Sequence, residues 1–250
     1  MHFEEFSDGN TLIHRLDPRV KILSVCLITV ALALSYNLPG IIVGLLFSVG
    51  LIFAARLDGR KVLSRFAVVN GFFLFLLLIL PLTVPGNPLY RVGPLTISDR
   101  GLTYAITLTL KGNAIYAAMI ALLGTSSIVK LGHALHHLRV PGKLVQLFFF
   151  SYRYISVLHD EYLRIRRALK IRCFTGKTDL HSYRTYAYVV GMLFLNSYDR
   201  SQRIYRAMLC RGFSGELRTI DHFALGWADL AFLILQATVA ASIVTIQVVS

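Results

Sequence analysis

Charged residues are scarce in this chain of 250 residues, and acidic residues are scarcer still. Only 16% of the residues are charged, and 13 Asp and Glu stand against 26 Lys and Arg, for a net charge of +13. A soluble domain usually carries about 25% charged residues. The few acids and the absence of a Gly-x-Ser-x-Gly sequence also argue against a membrane-embedded enzyme, which needs clustered acids or a nucleophile elbow.

Cysteine is also rare, and so is any pattern typical of β-strands. The three cysteines are Cys26, Cys173 and Cys210, and their spacing matches no metal-binding motif. Two of them fall in a segment predicted to be cytoplasmic, where thiols stay reduced, so no disulfide is expected. The sequence shows no alternation of apolar and polar residues, so membrane-spanning strands are not expected.

Hydrophobic residues make up 55% of the chain, and they are grouped in five long runs. Each run has about the 17–25 residues that a helix needs to cross a bilayer. Helices are favoured because they satisfy every backbone group within the segment. The five predicted spans are residues 20–36, 38–55, 66–84, 102–124 and 223–248.

The basic residues predict the orientation of these spans. Of the 26 Lys and Arg, all except Arg91, Arg100 and Lys111 fall on one side of the predicted membrane. The positive-inside rule places that side, with the N-terminus, in the cytoplasm. The net charge is therefore explained by topology and by attraction to anionic lipid, and no nucleic-acid partner is needed.

The predicted fold is an all-α integral membrane protein with about five transmembrane helices. Residues 1–126 form an N-terminal tail and four spans, and residues 221–250 form the last span. Between them, residues 127–220 form a cytoplasmic or interfacial helical segment.

This inserted segment is predicted to hold three helices. A short amphipathic helix over 128–138 is followed by longer helices over 143–173 and 183–212. Their apolar runs, 144–158 and 186–195, are too short to span a bilayer comfortably and are predicted to lie at its surface or against other helices. The apolar face of the short helix comprises Ile128, Leu131, Leu135 and Leu138.

The two longer helices end in an internal repeat with a 39-residue offset. Residues 160–176 and 199–215 are identical at eight of 17 positions, which points to two equivalent partners. The identical pairs are Asp160/Asp199, Arg164/Arg203, Ile165/Ile204, Arg167/Arg206, Ala168/Ala207, Arg172/Arg211, Phe174/Phe213 and Gly176/Gly215.

Each copy predicts a helix that ends at its last arginine. The glycine beyond it, Gly176 or Gly215, suits a left-handed C-terminal cap. The arginine is then presented at a tip, where its planar fork can bind a carboxylate or backbone carbonyls of another chain. Arginine beside an aromatic residue is typical of interface hot spots, so the tips are predicted to dock partner proteins.

These motifs resemble those of a known family. The chain is similar to the transmembrane T component of energy-coupling factor (ECF) transporters, specifically the cobalt/nickel CbiQ type. The family pattern is Ala-Arg-Gly in both motifs. The resemblance covers essentially the whole chain, and the residues that carry it are Lys170-Ile171-Arg172-Cys173, Leu209-Cys210-Arg211-Gly212 and His14-Arg15-Leu16-Asp17-Pro18-Arg19-Val20-Lys21.

The resemblance implies a non-catalytic subunit of an ATP-driven importer. It would join two cytoplasmic ATPase subunits to a membrane-embedded substrate-binding subunit in a bacterial or archaeal inner membrane. It would hold no cofactor, because the partners bind ATP. The substrate would be cobalt, with nickel next and a vitamin possible. The implied ATPase-docking residues are Arg172, Arg211, Phe174, Phe213, Cys173, Cys210, Gly212, Arg167 and Arg206.

Other classes of function make different demands on the sequence. A conventional import permease has one coupling loop per chain, whereas this chain has two motifs. A secondary transporter wants ionisable groups at mid-membrane, and only Lys111 qualifies.

Two local sequences suggest sites of their own. Gly176-Lys177-Thr178 looks like the end of a P-loop, but position 171 is Ile where that motif needs glycine. His133, His136 and His137 are spaced to share a helix face and are weak candidates for a metal site.

Overall fold

The computed structural model describes residues 9, 11–92, 95–215 and 226–249. Helices dominate, and one β-hairpin interrupts them. The elements are α1 (Leu12–Arg15), α2 (Pro18–Leu34), α3 (Leu38–Ala55), α4 (Gly59–Thr83), β1 (Pro88–Val92), β2 (Leu95–Ser98), α5 (Asp99–Leu122), α6 (Ile128–His137), α7 (Gly142–Ile171), α8 (Leu180–Cys210) and α9 (Trp227–Val249).

The chain divides into two compact units. One, the membrane unit, comprises residues 2–134 and 223–250, and the other, the helical insertion, comprises residues 135–222 with Met1. The division falls within α6, between Ala134 and Leu135.

The membrane unit confirms the predicted all-α membrane fold. In the described residues, four helices are long and apolar enough to cross a bilayer: α3, α4, α5 and α9. The fifth predicted span corresponds to α2, whose 17 residues are at the lower end of the length that a crossing needs. Helix α2 packs against α5 and α9, and its role as a span stays a prediction.

Small residues on α5 allow the helices to pack closely. Ala114 and Ala118 are fully buried, and they share a core with Ile28 and Leu32 of α2 and Ile243 of α9. Alanine lets neighbouring helix backbones approach, which favours association in a bilayer, where the hydrophobic effect between helices is absent.

The start of α2 explains the charged run before the first predicted span. Asp17 caps the helix by accepting the backbone N–H of Arg19 at 2.8 Å, and Pro18 occupies the first turn. The backbone N–H of Asp17 donates to Asp229 at the start of α9, also at 2.8 Å. The first and last long helices of this unit are thereby tied together.

Lys21 ties the same end of α2 to the turn that follows α5. Its side chain is almost fully buried, at 1% exposure. The ammonium group donates to the hydroxyl of Ser126 at 2.7 Å, and to the hydroxyl of Thr125 at 3.2 Å. A buried charge is costly unless it is hydrogen-bonded, so these contacts hold the turn between α5 and α6 in place.

Helix α4 lies at the edge of the bundle and contacts α5. Asn113 Nδ2 donates to Asn70 Oδ1 at 2.9 Å, which supplies a polar contact in an otherwise apolar interface. The charge-free run predicted over 66–84 is only part of this helix, because α4 begins at Gly59 and includes the basic residues Arg60, Lys61 and Arg65.

The connection between α4 and α5 forms a hairpin that was not predicted. Strands β1 and β2 pair in antiparallel fashion, with an irregularity between Pro88 and Tyr90. The sequence signal was missed because the strands are only five and four residues long. The last predicted span is α9, and its first three predicted residues, 223–225, lie outside the described residues.

Helix α6 matches the predicted short helix. The four residues of its predicted apolar face are all partly buried, whereas positions 129, 130, 136 and 137 are exposed. Gly132, His133 and Ala134 are buried as well.

In the helical insertion, α7 and α8 run in opposite directions. Near the start of α7, Gln146 Nε2 donates to the carbonyl of Gly215 at 2.8 Å. At the other end, the ring of Phe174 meets the ring of Tyr186, near the start of α8. The runs 144–158 and 186–195 are largely exposed in this unit.

We expect Gly101→Ala to destabilise the membrane unit by about 1–3 kcal/mol. A Cβ at Gly101 would lie 2.7 Å from backbone atoms of Leu80 and Pro81, so one of the two helices would have to shift. Thermal unfolding of the detergent-purified protein measures the effect. Gly71→Ala is the matched control, because its Cβ would meet nothing within 4 Å. Equal melting temperatures for the two variants would contradict the expected close approach.

Candidate functional site

The carboxylate of Glu161, which is mostly shielded from solvent, joins α7 to α8. Glu161 Oε1 accepts a hydrogen bond from Asn196 Nδ2 at 3.0 Å. Its Oε2 lies 3.5 Å from Arg164 Nη1 and 3.9 Å from Arg200 Nη2. The Glu161 side chain is only 14% exposed, so these partners replace much of the water that would otherwise surround it.

This contact falls at the beginning of the internal repeat. Glu161 and Arg200 are equivalent positions, separated by the 39-residue offset. When two antiparallel helices meet at equivalent positions, their equivalent ends point in opposite directions. Arg172 and Arg211 each lie 11 residues beyond the contact. At 1.5 Å per residue, the two tips are therefore separated by roughly 33 Å of helix.

We call the part of each helix that follows the Glu161 contact an arm, so the first arm is residues 161–172 and the second is residues 200–211. The first arm ends in a Schellman motif. Arg172 is the C-cap of α7, and Cys173 follows it in the left-handed conformation with φ of 56°. The N–H of Cys173 donates to the carbonyl of Lys170 at 3.1 Å, and the N–H of Phe174 donates to that of Leu169 at 3.1 Å. These are the two hydrogen bonds that define the motif.

The second arm ends in the same way. Arg211 is the C-cap of α8, and Gly212 follows it with φ of 77°. The N–H of Gly212 donates to the carbonyl of Leu209 at 3.0 Å, and the N–H of Phe213 donates to that of Met208 at 3.1 Å. The repeat therefore encodes one cap geometry twice.

The position of the left-handed cap was predicted wrongly. Gly176 and Gly215 were expected to cap the helices, but the cap residues are Cys173 and Gly212, three positions earlier. The prediction failed because glycine was taken as the signal for a left-handed residue, whereas the first copy places cysteine there. Gly212 adopts the left-handed backbone of this position without the steric cost that a Cβ brings.

The phenylalanines of the two motifs, Phe174 and Phe213, are partly buried within the helical insertion. Phe174 is half-buried, and its ring centroid lies 5.7 Å from that of Tyr186 and 6.3 Å from that of His181. Phe213 is half-buried as well. An apolar residue at this position commonly packs on the last turn of the helix in a Schellman motif, and Phe174 also packs against two rings at the start of α8.

The arginines at the two tips are available to a partner. Arg172 and Arg211 are exposed, and neither side chain has an ion-pair or hydrogen-bond partner within the described residues. The thiols of Cys173 and Cys210 are free and exposed beside them.

The other two predicted arginines, Arg167 and Arg206, lie on the last turns before the tips, and both are exposed. Arg167 Nε donates to the carbonyl of Leu163 in its own helix at 3.3 Å. Each tip therefore presents more than one cation.

The loop after the first tip is held by the start of α8. Asp179 caps α8, with its Oδ1 accepting the N–H of Ser182 at 2.9 Å. Hydrogen bonds from Ser182 lower the pKa of the Asp179 carboxyl. The Ser182 hydroxyl accepts the N–H of Lys177 at 3.0 Å, so the sequence that looked like a P-loop is part of a helix-capping turn.

The three histidines do not form a metal site. Among the described residues, no three His, Cys, Asp or Glu side chains lie close enough to hold a metal ion. His133 is buried, while His136 and His137 are exposed with their rings stacked at 6.0 Å. Spacing along α6 therefore does not bring the three imidazoles to one point.

Comparison with known proteins agrees with this architecture. Residues 9–221, which include both arms, match the family model described as CbiQ, cobalt transport protein. The chain belongs to the CbiQ family. This confirms the resemblance seen in the arginine motifs, and it makes the protein a multi-pass membrane component of a transport system.

Individual relatives of this CbiQ-family chain come from archaea and bacteria. An uncharacterised protein of Methanocaldococcus jannaschii is 26% identical over 97% of this chain and 85% of its own length. The energy-coupling factor transporter transmembrane protein EcfT of Heliobacterium modesticaldum is 28% identical over 81% and 80%, respectively. EcfT of Bacillus subtilis is 23% identical over 89% and 88%.

The cap geometry of the CbiQ-family chain predicts opposite effects at equivalent positions. Cys173→Gly should stabilise the protein by about 1 kcal/mol, because a left-handed conformation costs a residue with a Cβ roughly that much. Gly212→Ala should destabilise it by about the same amount. Thermal unfolding in detergent measures both. Gly142→Ala, which has open space and no left-handed backbone, should change little. Shifts of the same sign would refute this account of the caps.

The contact around Glu161 predicts a second pair of effects. Glu161→Ala should destabilise the helical insertion by about 1 kcal/mol, because it removes the acceptor of the partly buried Asn196 amide and the anionic partner of Arg200. Glu161→Gln keeps one acceptor oxygen and should be milder. Limited proteolysis between α7 and α8 gives the readout. Asp160→Ala, next to it on an exposed position, is the control. Equal cleavage rates for all variants would show that the contact is dispensable.

Proposed function

We propose that this CbiQ-family protein is the T component of an ECF-type importer. It couples two cytoplasmic ATPase subunits to a separate substrate-binding subunit in the membrane. The observation that carries the proposal is the pair of identically capped arginine tips, which point in opposite directions because α7 and α8 are antiparallel and meet at the start of the repeat.

The symmetry of the tips supports two equivalent partners. Arg172 and Arg211 are exposed, preceded by further arginines, and rigidly capped. Two matching surfaces on one chain fit a partner that is present twice and is related by a two-fold axis. Closure of a pair of ATPases on ATP would move both tips, and α7 and α8 would carry that motion to the substrate-binding subunit.

The names of the relatives support the class of transporter. Two of those compared are called energy-coupling factor transporter transmembrane proteins, and the family description names cobalt. Cobalt is therefore the proposed substrate, with nickel next. ATP is assigned to the partner subunits, and this chain takes no cofactor. The proposed location is the inner membrane of a bacterium or archaeon, with the N-terminus in the cytoplasm.

Lys111 gives little support to the alternative of a secondary transporter. Its ammonium group donates to the carbonyl of Ala33 at 3.3 Å, and it lies 4.8 Å from the centre of the Tyr36 ring. It thus neutralises the carbonyl end of α2 and makes a cation–π contact, both of which are structural roles. The other alternative, a conventional import permease, has one coupling loop per chain and would not account for a second arginine tip.

Replacement of the tip arginines tests the proposal. Arg172→Ala and Arg211→Ala should each weaken binding of the co-expressed ATPases about 30-fold, the loss typical of a hot-spot arginine, and the double variant should abolish it. Co-purification from detergent measures binding, and Co²⁺ uptake with Ni²⁺ as competitor measures transport. Arg184→Ala removes an exposed arginine outside the repeat and is the matched control.

The outcomes separate the docking role from a structural one. All variants should keep the melting temperature of the parent, because both arginine side chains are exposed. If the double variant retains the ATPases in full, the two tips are not the docking site.

A further inference from the structure

A groove lies between α7 and α8 beside the first tip. It has a volume of about 480 Å³. One wall is a stripe of α7 in which Tyr162, Arg166 and Lys170 follow one another at four-residue spacing, so that they share a helix face. Tyr186 of α8 contributes to the opposite wall. We call this the basic groove.

The floor of the basic groove is apolar. Leu169 of α7 and Val189 of α8 line it, together with the half-buried Phe174. The groove thus combines two cations and two phenol groups with an apolar surface, which is the combination that an amphipathic ligand needs.

The repeat places a second groove at the equivalent position of the other arm, with a different chemistry. Positions 162, 166 and 169 correspond to Ser201, Tyr205 and Met208, and all three line that second groove of about 320 Å³. Its one cation, Arg200, faces Glu161. The second groove therefore offers no unpaired charge.

The difference between the grooves separates two functions. Residues that are identical in both copies, such as the tip arginines, belong to the docking role that the two arms share. Arg166 and Lys170 correspond to Tyr205 and Leu209, so they are not part of that shared role. The two cations of the basic groove thus belong to a task that the first arm performs alone.

Arg166 and Lys170 also lack anionic partners. Within the described residues, neither cation is within ion-pair distance of a carboxylate. Two neighbouring acids are already engaged, Glu161 with Asn196 and Arg200, and Asp179 with the start of α8. A third, Asp160, is exposed and forms no ion pair with either cation. The positive charge of the basic groove is therefore available to an external anion.

We propose that the basic groove binds the phosphate headgroup of an anionic phospholipid. The adjoining stretch of α8 supports a bilayer surface as its source, because Val190, Phe194 and Leu195 are all exposed there. Exposed apolar side chains on a basic helix are typical of helices that lie in a membrane interface. Basic pockets at the cytoplasmic surface of a membrane bind lipid headgroups, and tyrosine is suited to the boundary between lipid and water.

The test compares lipid binding by two charge-matched variants of the full-length protein. Arg166→Gln with Lys170→Gln removes two charges from the basic groove. Lys143→Gln with Arg203→Gln removes two exposed charges elsewhere in the same unit. Phosphatidylglycerol and phosphatidylcholine are titrated into the detergent-purified proteins, and native mass spectrometry measures the bound fraction of each.

The parent and the control should bind phosphatidylglycerol about tenfold or more tightly than phosphatidylcholine. The groove variant should lose that preference, since each basic residue near anionic lipid contributes about 1 kcal/mol and a tenfold change corresponds to about 1.4 kcal/mol. An equal loss in the control would show attraction to net charge alone and would overturn the proposal.

Two further results would also overturn it. The groove variant could retain the preference for phosphatidylglycerol, in which case the groove is not the lipid site. It could instead retain the lipid but lose the co-expressed ATPases, and the groove would then bind an acidic side chain of a partner. Neither result bears on the tip arginines, whose docking role is tested by different variants.

Discussion

The arrangement of the helical insertion depends on the carboxylate of Glu161, which is mostly shielded from solvent. A carboxylate in such a position is stable only if hydrogen bonds and opposite charge replace the water that it has lost. Asn196 and Arg200 provide these from α8, and Arg164 provides a further charge from α7. Because the partners come from both helices, satisfying one charge also fixes where α7 meets α8. That point is the start of both repeats, and the equal reach of the two arms follows from it.

The membrane unit depends on a comparable set of contacts at the start of α2. Lys21 is buried among the hydroxyls of the turn after α5, and the backbone of Asp17 binds Asp229 of α9. These contacts join the N-terminal run, the fourth predicted span and the last one. The short charged sequence before the first apolar run, which resembles its family counterpart, therefore has a structural role within this unit.

The sequence predicted the structure best where a pattern of residues has only one structural explanation. Apolar length predicted the bounds of α3 and the approximate positions of α4, α5 and α9, since a bilayer sets that length. The repeat predicted two arginine-ended helices, because identical sequences form identical local structure. It did not predict that the copies meet at Glu161, because Asn196, one partner of that carboxylate, lies outside the repeat.

Other parts of the site were missed for local reasons. Left-handed backbone at Cys173 cannot be read from residue type, because cysteine rarely adopts it. The metal hypothesis rested on the spacing of three histidines, but one of them is buried and two are exposed. The two grooves arise from residues of both helices, so only the pairing of α7 with α8 reveals that their chemistry differs.

The contacts between α7 and α8 also limit how the pair can move. Glu161 joins the two helices at the start of the repeat, Gln146 bonds the chain just beyond the second tip, and Phe174 packs on Tyr186 just beyond the first. A pair of helices held at three places along its length resists bending more than a pair held at one place. Arg172 and Arg211 stand at the two ends of this braced pair, so a displacement of either tip is passed to the other helix.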